Sequence, residues 1–123
     1  MSHVVTIQTE VRDGVAVEAA CRRLKLPQPV VGEFELYSGK VAGVGVRLPG
    51  WVYPVVCQLG CGKLCYDNFE GRWGEQSQLE KFLQAYAVEK AKREARRQGY
   101  TAVEQQLPGG SIKLTIQLGG GGR

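Results

Sequence analysis

Cys57, Cys61 and Cys65 form a C-x3-C-x3-C run, the one cluster in the chain whose residue types suggest a metal. Structural zinc takes four soft ligands, commonly as closely spaced cysteine pairs separated by a longer loop. Here three thiols are evenly spaced in what reads as a hairpin, and a fourth ligand would have to be His3 or Cys21. On opposed strands Cys57 and Cys65 could lie side by side with Cys61 at the turn. The plainer reading is three small residues in a hairpin, so metal ligation by Cys57, Cys61 and Cys65 ranks behind it. His3 is the single histidine and has no indicated partner, which leaves no Ser-His-Asp or Cys-His constellation. The glycines fit neither phosphate-loop pattern. Asp67 and Glu70 form a carboxylate pair of the kind that turns commonly contain. The residues therefore predict no catalysis and no cofactor.

A different chemistry lies between residues 89 and 97, where Lys90, Lys92, Arg93, Arg96 and Arg97 outnumber Glu89 and Glu94. Such a run is a solvated helix face by default. It is also the one surface positive enough to meet an acidic partner. The aromatic turn before the helix, with Asp67, Phe69, Arg72 and Trp73, completes the predicted contact surface. The same cations with Tyr100 or Trp73 could hold a nucleic acid through phosphate contacts and stacking. The chain as a whole carries only +4, with 43% hydrophobic and 23% charged residues, which is the composition of an ordinary soluble domain.

These residues have to be positioned by a long helix over Glu75–Gln98. Ser77 and Glu80 have capping-box spacing, and Leu79, Phe82, Leu83 and Tyr86 then recur on one face. At about 1.5–3 kcal/mol for each large apolar side chain buried, those four anchor the helix. Gly99 is the predicted stop. Ahead of it, His3–Thr9 alternates as a strand, and Asp13 caps a shorter helix whose Val17, Ala20, Cys21 and Leu24 share a face. Pro27 and Pro29 end that helix. Glu33–Tyr37 and Val41–Leu48 read as a hairpin through Ser38-Gly39-Lys40, with Gly43 and Gly45 marking a bulge or a close backbone approach. Trp51–Cys57 with Lys63–Asp67, and Tyr100–Leu107 with Ile112–Leu118, read as two more hairpins.

The expected fold is α+β, an antiparallel sheet with two helices on one face, in the order β-α-β-β-β-β-α-β-β. Residues 1–118 form the expected domain and 119–123 a glycine-rich flexible tail. The opening has neither a basic nor an apolar leader region, and no apolar run is long enough to span a membrane. A cytoplasmic protein with free thiols is expected.

The opening Met1-Ser-His-Val-Val-Thr-Ile-Gln-Thr-Glu-Val-Arg-Asp13 resembles the start of the proteins called hypothetical chloroplast reading frame 35, whose bacterial relatives are classed as a domain of unknown function. Phe82-Leu-Gln-Ala-Tyr-Ala87, Gln98-Gly-Tyr100, Val103-Glu-Gln105 and Gly110-Ser-Ile-Lys-Leu114 resemble later blocks of that family, in order. Relatives carry Arg-Tyr-Ala-Tyr-His where this chain has Ala85-Tyr-Ala-Val-Glu89, so no role of that histidine transfers. The resemblance implies a small accessory protein in a module with an AAA+ ATPase. The expectation is a non-catalytic adaptor that binds another protein, with nucleic-acid binding as the alternative and cysteine-ligated metal binding behind both.

Overall fold

Asp13 ends an extended segment and turns the chain into a helix: its Oδ1 accepts the Val15 and Ala16 amides at 3.0 and 3.3 Å. The computed structural model describes residues 4–37 and 39–118. Strand β1 (Val5–Gln8) precedes helix α1 (Gly14–Arg23). Strands β2 (Val30–Leu36), β3 (Gly39–Val46), β4 (Val55–Gln58) and β5 (Lys63–Tyr66) follow. Helix α2 (Gln76–Arg97) leads to the last two strands, β6 (Thr101–Gln106) and β7 (Ile112–Gln117). This is the α+β order that the sequence predicts. His3, Ser38 of the predicted turn and the glycine-rich tail lie outside the described residues. No helix among the described residues is long and apolar enough to cross a membrane.

The strands divide into a five-stranded antiparallel sheet, ordered β1-β5-β4-β3-β2, and a separate β6-β7 hairpin. The chain separates into two compact units that divide between Tyr86 and Ala87, within α2. In the first unit the pairings Val5↔Tyr66, Ile7↔Leu64, Leu64↔Cys57, Cys57↔Val44 and Val55↔Val46 align those residues on one face. Against that face lie Ala16, Val17, Ala20 and Cys21 of α1 and Leu79, Phe82, Ala85 and Tyr86 of α2, all in one apolar core. Two helices on one sheet face is the arrangement that the 2-residue and 3.6-residue periodicities require of these segments. Val56 and Cys65 turn to the opposite face, where they too are buried. On that face a side chain at Gly45 would run into the Phe34 ring, so the glycine marks a close approach.

Tyr86 ties the helices together with its hydroxyl. It accepts from the amides of Arg12 and Asp13 at 3.0 and 3.1 Å and donates to the Glu10 carbonyl at 3.2 Å. The start of α2 departs from the expected capping box. The helix already includes Ser77, and the Gln78 amide bonds the Glu75 carbonyl. The entry is held instead by the Asn68 amide group, which donates to the Gly74 carbonyl and to Gln76 Oε1. At the other end, Gly99 takes φ +79°, and the amides of Gly99 and Tyr100 bond the carbonyls of Arg96 and Ala95. That paired Schellman pattern is what glycine at C′ predicts.

In the second unit the register Glu104↔Leu114 and Gln106↔Ile112 puts those residues on one side of the hairpin. Ile112 and Leu114 are half-buried, whereas Ile116 and Leu118 are exposed. The alternation expected across Ile112, Leu114, Ile116 and Leu118 thus buries only its first half.

Candidate functional site: an aromatic surface around Trp73

The three cysteines do not converge. The turn between β4 and β5 closes on Gln58↔Lys63, which sets Cys57 against Leu64 and Cys65 against Val56. Paired strands alternate faces, so this one-residue offset sends Cys57 into the core and Cys65 to the other side of the sheet. There Cys65 Sγ lies 3.6 Å from Thr6 Oγ1. Cys61 is exposed at the turn. The side-by-side placement expected from the spacing is thereby corrected, and no group of three metal-ligating side chains occurs among the described residues.

Burial also fixes the protonation of two thiols, Cys57 and Cys21. It pushes Cys57 up to about 12, with Cys21 and then Cys65 adding to the effect. Burial raises Cys21 to about 11, reinforced by the Glu18 carboxylate. Both stay neutral at pH 7 and are poor nucleophiles, since the thiolate is the reactive form. A thiol that ionises more readily when unfolded contributes stability below its ordinary value of 9.0, and that contribution fades as pH rises towards the folded value. Denaturant titrations should therefore show stability falling between about pH 9 and 12. Replacing Cys57 and Cys21 by alanine should flatten that fall. An equal slope in the double variant would reject the assignment.

The basic stretch of α2 is threaded with carboxylates. Lys92 Nζ bonds Glu104 Oε2 of β6 at 2.6 Å and Glu89 Oε2 at 3.4 Å. The Glu104 bond raises the Lys92 ammonium above its usual range, against the opposing effect of burial, and the Glu89 charge adds to it. Lys90 pairs with Glu94 at 3.4 Å and Arg97 with Glu94 at 2.9 Å. Arg93 is half-buried, and Arg96 is exposed. Lys90, Lys92 and Arg97 are thus engaged within the second unit. The hairpin carboxylate Glu104 is the residue that sequence reasoning missed; no local spacing relates it to Lys92.

The turn residues come together more fully. Trp73 is the centre of four rings: its centroid lies 4.7 Å from Phe69, 5.3 Å from Tyr37 and 5.8 Å from Tyr53. The Arg72 guanidinium sits 5.0 Å over the Phe69 ring, within range of a cation–π contact. Tyr37 is 61% exposed and the neighbouring Val52 54% exposed, so the rings form a surface rather than a core. Asp67 is the exception among the predicted residues. It is buried, with Oδ1 accepting the Phe69 amide at 3.2 Å and Oδ2 unpartnered among the described residues. Its role is to shape the turn.

That turn is strained. Phe69 and Glu70 take φ of +47° and +53°, the left-handed region that costs non-glycine residues about 1–3 kcal/mol each. The surroundings over-determine it. The amides of Gly71 and Trp73 both bond the Asn68 carbonyl, at 3.0 and 2.9 Å, and the Val52 amide bonds the Trp73 carbonyl at 2.9 Å. Tyr37 and Tyr53 join the site from just past the end of β2 and from the loop before β4, and escape sequence reasoning because they lie far along the chain from Trp73. Comparison with known proteins gives no match to any family model, to any curated protein or to any solved structure.

Proposed function

We propose that this chain is a non-catalytic adaptor that binds another protein through the aromatic surface around Trp73. The observation that carries this reading is the convergence of Tyr37, Tyr53, Phe69 and Trp73 on a strained, solvent-facing turn. Tryptophan, tyrosine and arginine are the residues over-represented where binding energy concentrates. Strain held in place by surrounding hydrogen bonds is found at binding sites more than elsewhere. The module suggested by the family resemblance makes an AAA+ ATPase the first partner to test. The ion pairs of Lys90, Lys92 and Arg97 leave the end of α2 less charge to offer phosphates, so the nucleic-acid reading ranks second.

The test is affinity capture from the native cell with the wild-type chain, with Trp73→Ala, and with Arg93, Arg96 and Arg97 replaced by alanine together. Loss of a hot-spot tryptophan should weaken the wild-type partner by about thirtyfold or more. The arginine variant should retain the partner. Capture unaffected by Trp73→Ala, in a variant that still melts cooperatively, would overturn this choice of surface.

A further inference from the structure

We infer that the partner engages as an extended, basic segment that pairs with the open edge of β2, an assignment that rests on the protein-binding reading above. Strand β2 ends the five-stranded sheet and pairs with β3 alone. In an antiparallel pair every second residue turns its N–H and C=O outward, so an edge strand carries a ready template for another strand. Proline, charged side chains and shortness usually blunt such an edge. β2 is seven residues long, without proline or lysine, and its charges are the two glutamates of Val-Val-Gly-Glu-Phe-Glu-Leu, which deter a like-charged strand and leave the edge open to a basic one. Val30 and Val31 are 58% and 80% exposed at its start.

The charge on this edge selects the occupant. The register Val31↔Val44, Glu33↔Ala42 and Glu35↔Lys40 puts Val31, Glu33 and Glu35 on one face, all three exposed, with Lys40 of β3 across from Glu35 and the two acids alone on the edge strand itself. A second copy pairing here antiparallel would gather four glutamates on the joined face, and like charges opposite one another destabilise a sheet. A strand with lysine or arginine at two alternate positions would instead meet Glu33 and Glu35. The edge also leads into the aromatic surface. Tyr37 follows Leu36 directly and packs on Trp73 at 5.3 Å. A further cation of the same strand would meet ring faces there, which attract it. Main-chain pairing then supplies affinity, while Glu33, Glu35 and the rings supply selectivity, as in other strand-addition complexes.

The probe is a short fluorescent peptide of alternating lysine and valine, followed by anisotropy and by amide exchange of residues 30–36. Binding with slowed exchange in β2 is expected. An alternating glutamate–valine peptide, and a lysine–valine peptide N-methylated at alternate residues, should both fail. Glu33→Lys with Glu35→Lys, both on exposed positions, should weaken the basic peptide about tenfold and admit the acidic one. No binding, binding indifferent to the charge reversal, or binding that leaves β2 amides unprotected would overturn the edge assignment. So would self-association that protects β2 without peptide. Trp73→Ala separates the two proposals: if it abolishes capture of the native partner while the lysine–valine peptide fails to bind, the edge assignment falls and the adaptor reading stands.

Discussion

Phe82→Ala should destabilise the protein by about 3–5 kcal/mol, the range for truncating a buried phenylalanine. Phe82 is wholly buried where α2 meets the sheet, in the same core as Val17 and Cys21 of α1 and Val55, Cys57 and Leu64 of the strands. Removing the ring withdraws apolar area and leaves a void that the paired strands cannot collapse to fill, because their spacing is set by backbone hydrogen bonds. Small domains hold only about 5–15 kcal/mol in total, so the variant should unfold at much lower urea or populate unfolded chains at 37 °C. A loss below about 1.5 kcal/mol in urea titrations would mean that the helix is not anchored where the core indicates.

Gly74→Ala should cost about 1–3 kcal/mol, the range for overpacking, although it adds a single methyl group. A Cβ at this buried position would run into the five-membered half of the Trp51 indole. That indole cannot simply withdraw. Its Nε1 donates to the Glu75 carbonyl at 3.0 Å, and its ring packs edge-on against Tyr66 at 5.7 Å. The Gly74 carbonyl in turn accepts from Asn68, which holds the turn carrying Phe69 and Trp73. The disturbance should therefore reach the aromatic surface, and the variant should lose partner binding as well as stability. A double-mutant cycle isolates the cause. In a Trp51→Ala background the obstacle is gone, so Gly74→Ala should be neutral or stabilise by about 0.4–1 kcal/mol through reduced unfolded-state entropy. An equal penalty in both backgrounds would refute the steric explanation.

What could be read from the residues in order was whatever local periodicity encodes. Leu79, Phe82, Leu83 and Tyr86 announced the buried face of α2, Asp13 its partner's cap, and Gly99 its end. Each depends on neighbours within about a helical turn, where spacing alone decides which side chains meet. The Asp67–Trp73 turn was legible as an aromatic loop for the same reason. The capping box failed because Asn68 and Trp51, from outside the helix, hold its entry one position earlier than Ser77.

Everything that joins distant segments waited for the tertiary structure. Cys57 and Cys65 share a hairpin, yet the parity of the turn put them on opposite faces, and parity depends on how many residues the turn absorbs. Lys92 looked available until β7 and β6 folded back and Glu104 came within 2.6 Å. Tyr37, just past the end of β2, and Tyr53, in the loop before β4, meet at Trp73 only in the folded chain. Helical and strand periods are written in one dimension. Which rings share a surface, and which cations find an acid, is decided by pairing across the chain, and no spacing in the sequence records it.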